Sequence, residues 1–491
     1  MMRPMWATSD NRRLRAIKQV AAKWEHDSTE RPFSLFLDPL GAGERLWIIR
    51  WWRFFLRLAA VVCLVSAAAF AANASMKTLT RTTDPVTVPG HKLRLLHGWK
   101  IEQLGLFAFD GQALRPIPFQ IDERRDGQYV YPHGEIASAD ADDGALDADD
   151  ELAFICADAG PRLQPFLLPS GVKAGVELEV VDPRDGGRAY VYLLAFAGPA
   201  PRSDVDYVWY HEQANEIETT DYLIGYHADA PISAAKLYVK PAIGGTNVSV
   251  ADRQKVRIEG DLFWNLMHLE RNENDFRAEV LGYIDGPVRI IRRTKNWNRL
   301  VWKIPTPSVE LTSVYWKTGM EFPLTIDLPF KISTFFRRAG MRIYIDTPPQ
   351  ETGRRYYNDH NPQGVDIDGV MSEAELKLDP APFDWQVVAG SRPEHPEGWF
   401  SRNMYDKDKI PASMVLYYHD DVGRLDPPER YPGCYGCLGF EFVDLDKLPA
   451  GKFSILIQMY PIVNYRPGDE KRLLQIADAP LQVNSRLIPS N

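Results

Sequence analysis

Between residues 104 and 131, short apolar runs alternate with polar positions and are broken twice by Asp-Gly, at Asp110-Gly111 and Asp126-Gly127. Asp-Gly between apolar runs signals a tight hairpin, because both central residues of a type I′ turn need positive φ. The stretch therefore predicts a β-meander, in which Pro116 and Pro118, lacking amide donors, mark an edge or a bulge. A second hairpin is expected over 176–196, where Leu178, Val180, Tyr190, Tyr192 and Leu194 alternate around a turn at 183–187. After a polar, turn-rich stretch at 198–206, strand patterns recur at 222–226, 235–239, 255–258, 278–283, 288–292, 309–316, 324–328 and 342–345. A last block follows at 414–418, 439–443, 453–460 and 481–483, and only 372–378 has a short helical pattern. The expected fold is all-β: an antiparallel sandwich domain over 75–197, a linker at 198–206, and a larger sandwich over 207–491. A separate third part from about 380 is the alternative.

The N-terminal pattern differs from the rest. Arg45, Arg50, Arg53 and Arg57 precede a small-residue-rich apolar run at 58–72, followed by Ala72-Asn73-Ala74. A basic stretch, a short apolar run and an Ala-x-Ala exit form the pattern of a secretory signal peptide. The 15 residues of the run fall short of the ~20 that span a bilayer. A signal peptide at 45–74 is therefore expected, with an uncleaved membrane anchor as the alternative and 1–44 as a poorly structured extension. The body would then be periplasmic or extracellular, meeting the membrane only through an uncleaved segment.

The chain carries a formal charge of −9. Removing the 11 basic and 6 acidic residues of 1–74 from its 57 and 66 leaves 46 and 60, a formal −14. Such a surface excludes nucleic acid as a partner and suits cations or neutral ligands. Thirteen Trp, 21 Tyr and 22 Phe supply side chains that fit pleated, half-buried surfaces.

Several residue groups could carry chemistry. Asp140, Asp142, Asp143, Asp147, Asp149, Asp150 and Glu151 form the densest acidic run, and Gly144 within it lets a loop close around a hard cation. Calcium is the expected ligand, with a solvated acidic turn as the alternative. Asp366, Asp368, Glu373 and Glu375 around Gly369 form a smaller echo, read first as a turn before a short helix. Cys434 and Cys437 are spaced for a local disulfide or a redox pair, which leaves Cys156 as a buried strand thiol. The segment 354–361 combines Arg354, Arg355, Tyr356, Tyr357 and His360. Proton-transferring Tyr and His beside carboxylate-neutralising Arg suit sugar chemistry, so Tyr356, Tyr357, His360 and Arg292 are the candidate catalytic residues. Arg289, Arg293, Trp297, Arg354 and Arg355 are the candidate substrate-binding residues. The plainer readings are a polar surface loop and the outward face of an alternating strand. His227 and His268 read as core or strand residues. The chain has no G-x-S-x-G elbow, P-loop, G-x-G-x-x-G or H-E-x-x-H, which disfavours α/β-hydrolase, nucleotide-dependent and zincin chemistry.

Three further short motifs, the first two taken in series, carry a resemblance. Pro116-Ile-Pro-Phe-Gln-Ile-Asp122 followed by Leu146-Asp-Ala-Asp-Asp-Glu-Leu152, and Asp285-Gly-Pro-Val-Arg289, resemble uncharacterised exported bacterial β-sandwich proteins and galactose-mutarotase-like carbohydrate-active families. The resemblance covers about a third of the body and implies a glycan-related role without assigning catalytic residues. The leading expectation is an exported, calcium-stabilised sandwich protein that binds or processes a polysaccharide, as a lyase or glycoside hydrolase if catalytic. A non-catalytic envelope or assembly protein and a periplasmic redox partner are the rivals.

Overall fold

The computed structural model describes residues 76–137, 144–163, 170–228, 230–262, 266–301, 304–305, 308–349, 353–406, 408–410 and 413–488. The extension and signal segment expected at 1–74 and three residues of the acidic run, Asp140, Asp142 and Asp143, lie outside them. The described chain is almost entirely antiparallel β, as its alternation predicts.

Two small sheets form the first layers. One orders Pro85–Pro89, Glu151–Ile155 and Gln120–Asp122. The other orders Leu114–Pro116, Leu104–Phe109, Arg188–Phe196, Val172–Val181 and Gln482–Leu487. Val86, Val88, Leu104, Leu106, Leu152, Phe154, Val176, Leu178, Val180, Val191 and Leu193 pack into one core. The expected hairpin forms, with Arg188 opposite Val181. Its second strand is buried on both faces, because Tyr190, Tyr192 and Leu194 cluster with Phe107, Phe109 and Phe196 on the side away from that core.

The two Asp-Gly turns differ. Asp126 and Gly127 both have positive φ, 51° and 77°, and Arg125 pairs with Gln128 across them, as a type I′ turn requires. At the other turn only Gly111 has positive φ. There the Asp110 carboxylate accepts the amides of Gln112 and Ala113, each at 2.8 Å, so an Asx-type loop of four residues replaces the two-residue turn.

The larger body contains three sheets. A five-stranded sheet runs Val208–His211, Glu216–Thr219, Tyr222–His227, Ala230–Val239, Ser249–Ala251. A second runs Met267–Arg271, Arg253–Leu262, Phe336–Asp346, Cys434–Val443, Ser413–Asp421. The third, of 11 strands, extends from Val365–Ile367 through Arg354–Asn358, Trp385–Gly390, Glu397–Tyr405, Gly451–Val463, Gly319–Leu328, Val309–Trp316, Arg289–Val301 and Phe276–Asp285 to His133–Gly134, with Ile304–Pro305 pairing off this path with Arg289–Val301. Residues from all three, among them Ile224, Tyr315, Tyr356, Trp399, Leu438 and Phe440, share one core.

Residues 76–491 form one compact unit, and two features tie its ends together. His133–Gly134, from the first layers, is an edge strand of the 11-stranded sheet, and Gln482–Leu487 pairs with Val172–Val181. The stretch expected as a linker has no regular structure over 201–207, yet Arg202 lies over the Phe119 ring at 4.5 Å and donates to the Ile101 carbonyl. The described chain also contains an α-helix that the pattern did not predict, Glu470–Asp478, which buries Leu473 and Ile476. At 372–378, helical character shrinks to a 3-10 turn, Glu375–Lys377.

Gly134 has φ +98°, and a Cβ there would lie 2.5 Å from the Leu281 carbonyl oxygen. Gly134→Ala should therefore lower unfolding free energy by about 2 kcal/mol or more, read from urea denaturation. An unchanged midpoint would show that this edge pairing contributes nothing to stability.

Candidate functional site

Asp122 and Glu151 occupy directly paired positions on adjacent strands. Like charges directly opposite in a sheet destabilise it, and here both carboxylates converge on Arg289 from the large sheet. Its Nε donates to Asp122 Oδ2 at 2.9 Å and its Nη2 to Glu151 Oε1 at 2.6 Å, with a second, shorter contact to Asp122. The arginine is 2% exposed, and its guanidinium lies over the Trp316 ring at 4.8 Å. Gln120 closes the network by donating to Asp122 Oδ1 at 2.7 Å while accepting the Arg289 amide at 3.0 Å and the Val288 amide at 3.3 Å. A Cβ at Gly286 would collide with this amide group. Gln120, Asp122, Glu151, Gly286 and Arg289 thus bring the three resembling motifs into one contact network.

Burial moves these groups apart. Burial pushes the Asp122 carboxyl above its ordinary range despite Arg289 and Gln120. Glu151 meets the same burial, but the charge and hydrogen bond of Arg289, then Arg124 and Tyr129, outweigh it and hold the carboxyl low. Tyr129, whose hydroxyl donates to Glu151 at 3.1 Å, is pushed up to about 12, chiefly by burial.

Beside this network opens a cleft of about 410 Å³, lined by Arg125, Gln128, Tyr129, Tyr131, Arg293 and Glu310 with Leu281 and Ile136. Arg124 lies 4.8 Å above the Tyr129 ring centre. Arg293 Nε donates to Glu310 Oε2 at 2.8 Å, which holds the guanidinium plane in the cleft wall. A hollow of about 480 Å³ elsewhere, lined by Lys92, Arg184, Asp478 and residues 480–484, contains no aromatic side chain.

The site residues expected from sequence are dispersed. Residues 354–358 form a strand, not a loop, so successive side chains point to opposite faces. Tyr356 is fully buried against Tyr418 at 5.3 Å, while Tyr357 packs against Tyr465 at 5.2 Å on the other face. The ring of His360 lies 3.0 Å from the Pro382 carbonyl. Arg354 donates to the carbonyls of Val250 and Ser249 at 3.1 and 2.9 Å, and burial lowers its pKa to about 10. Arg355 pairs with Asp366 at 2.8 Å. Arg292 is six strands away in the sheet order, fully enclosed, bonded to Asn215 at 2.8 Å and Tyr315 at 3.1 Å, and 4.3 Å from the Tyr226 ring centre. Trp297 is half-buried on the same strand. Of the nine candidate catalytic and substrate-binding residues, only Arg293 lines the cleft, and buried Arg289 supports its floor.

In the described half of the acidic run, Asp147, Asp150 and Glu151 commit their carboxylates within the protein, while Asp149 is exposed. Asp150 accepts the amides of Arg124 at 3.1 Å and Asp147 at 2.8 Å, Asp147 accepts that of Asp149 at 2.7 Å, and Glu151 serves Arg289. Among the described residues, no three His, Cys, Asp or Glu side chains gather as a metal would require. In the smaller echo, Asp366 pairs with Arg355 and Glu375 accepts from Tyr418 at 2.6 Å. Cys434 and Cys437 are disulfide-bonded and buried, and Cys156 is a buried free thiol pushed up to about 12 by burial.

A second charged cluster, which sequence reading missed, lies in the sheet containing the disulfide. Fully buried Lys255 sits 3.3 Å from Asp346 and 3.6 Å from Glu429, and donates to the Asp426 carbonyl at 2.9 Å. Arg257 joins Asp426 and Glu273, and Tyr344 donates to Asp426. The partners are separated by up to 174 residues (from Lys255 to Glu429), so no local motif reveals them. Nearby, fully buried Asp420 accepts the amides of Asp368, Gly369 and Gly436 at 2.7 to 2.9 Å.

No protein-family model matches this chain, and no curated protein matches it. Among solved structures it is similar to an alpha-mannosidase from Enterococcus faecalis V583, at 11% identity and a TM-score of 0.44 over 84% of this chain and 45% of that one. The chain thus spans less than half the length of that protein.

Arg289→Met should cost about 3–5 kcal/mol at neutral pH by leaving two buried carboxylates without their cation. Adding Asp122→Asn should recover at least about 1 kcal/mol in a double-mutant cycle, and strict additivity would contradict the shared-cation arrangement. A pH series tests the second cluster. Burial raises Asp346 to about 7 and Asp420 to about 6 from an ordinary 3.8, so between these values the folded chain holds protons that the unfolded chain has released. Stability from these groups should fall as pH rises from about 4 to about 7 and level off above. Asp346→Asn should flatten that slope, and an identical slope in the variant would reject the assignment.

Proposed function

We propose that this protein is exported and binds a carbohydrate in the cleft beside the Asp122–Arg289–Glu151 network. One observation carries the reading: in a cleft of ligand size, about 410 Å³, Tyr129 and Tyr131 line the wall together with the planar polar groups of Arg125, Gln128 and Arg293, the last held by Glu310. Sugar rings present apolar faces that stack on aromatic side chains, with hydroxyls around the rim that pair with such donors and acceptors. Glu310 is held by Arg293, and Glu151 by Arg289, Arg124 and Tyr129, so these carboxylates position neighbours. The reading is therefore one of binding rather than hydrolysis or elimination. The signal pattern at 45–74 supports export, and so does the Cys434–Cys437 disulfide, since such bonds persist in oxidising compartments.

Glycan-array screening followed by calorimetry on the strongest hit provides the test. Tyr129→Ala and Arg293→Ala should each weaken binding about tenfold or more, in keeping with loss of a stacking face or a fixed donor, whereas His360→Ala should leave it unchanged. Full affinity in both cleft variants would overturn the proposal.

A further inference from the structure

The register of two neighbouring strands brings an amine and a carboxyl together inside the protein. Arg253 pairs with Asp346 and Lys255 with Tyr344 across Arg253–Leu262 and Phe336–Asp346, so Lys255 and Asp346 are diagonal neighbours on one face, within reach of a long side chain. Lys255 Nζ lies 3.3 Å from Asp346 Oδ2 and 3.6 Å from Glu429 Oε1, and the three side chains are 0%, 1% and 9% exposed. Backbone groups hold each of them in place. Nζ donates to the Asp426 carbonyl at 2.9 Å, Asp346 Oδ1 accepts the Tyr435 amide at 3.2 Å, and Glu429 Oε1 accepts the Asp426 amide at 2.5 Å. Arg257, the neighbouring cation, is taken up by Glu273 and the Asp426 carboxylate, and the Asp252 carboxylate accepts the Tyr431 amide at 3.4 Å. Lys255 is thus the cation that Asp346 and Glu429 share.

An amine, a carboxyl and a second carboxylate in an enclosed site are the reactants of an amide condensation. Enclosure removes the water that would solvate the ion pair and reverse the product, and reacting groups about 3–3.5 Å apart are in a near-attack arrangement. Burial raises the Asp346 carboxyl to about 7, which keeps part of it in the acid form whose hydroxyl can depart. The Tyr435 amide points at Oδ1, the oxygen that gains charge during attack.

We propose that Lys255 and Asp346 condense into an intramolecular isopeptide bond, with Glu429 as proton carrier, independently of any ligand in the cleft. Glu429 first moves a proton from the Lys255 ammonium to Asp346, giving an amine and an acid. Nζ then bonds Asp346 Cγ, Glu429 carries a second proton from the nitrogen to Oδ2, and the Cγ–Oδ2 bond breaks to release one water. The third hydrogen stays on the amide nitrogen, Glu429 ends as a carboxylate, and nothing is oxidised or reduced. The product is a covalent brace between two adjacent strands, and the pH-dependent stability assigned to Asp346 belongs to chains that have not condensed. Intact-mass spectrometry of the purified full chain, denatured and with its disulfide reduced, provides the test. The wild type should fall short of its sequence mass by one water and yield a proteolytic fragment pair joined through Lys255 and Asp346, whereas Lys255→Met should keep its full mass. Glu429→Gln should slow condensation about 100-fold or more. The wild-type mass decides the question even where a variant does not fold. A wild-type chain of full sequence mass, a bond from Lys255 to Glu429 in place of Asp346, or condensation at the wild-type rate in Glu429→Gln would each overturn the proposal.

Discussion

The structure depends on one guanidinium shared by two carboxylates that the sheet register forces to face each other. Asp122 and Glu151 are opposite one another on adjacent strands, an arrangement a sheet tolerates only with a compensating cation. The cation comes from a different sheet and lies 167 residues along the chain from Asp122. Arg289 therefore fixes the register of the small sheet and locks that sheet to the large one. Gln120 secures the same junction through backbone amides, and the Tyr129 hydroxyl binds Glu151 at its edge. The cleft lies beside this junction, and Tyr129, which lines it, is tied to the network through Glu151.

The fold was legible because sheets advertise themselves through alternation and turn chemistry, both local properties. The hairpin at Val172–Val181 and Arg188–Phe196 and the turn at Asp126-Gly127 follow directly from such signals. The helix Glu470–Asp478 was not legible, since nine residues span too few turns for the apolar spacing of Leu473 and Ile476 to stand out from a strand pattern.

The site was legible in a different way. Arg354, Tyr356, Tyr357 and His360 looked like a cluster because they are neighbours in sequence, but a strand sends neighbours to opposite faces, and the cluster dissolves. By contrast, the three short motifs that carried a resemblance meet in space, although nothing in their spacing said they would. Lys255 and Asp346 mark the limit of local reading. A lysine in an alternating strand normally points to solvent, and only tertiary pairing shows that this one is enclosed by carboxylates from distant segments.

The strand Gln482–Leu487 closes the first sheet by lying along Val172–Val181. Synthesis proceeds from the N-terminus, so Val172–Val181 emerges with an unpaired edge and keeps it until Gln482–Leu487 has been made. Long-range strand pairing of this kind is slow to form and leaves sticky edges exposed meanwhile. The earliest layers therefore stay incomplete until Gln482–Leu487 arrives, which makes that one late strand a condition for closing the sheet built by the first part of the chain.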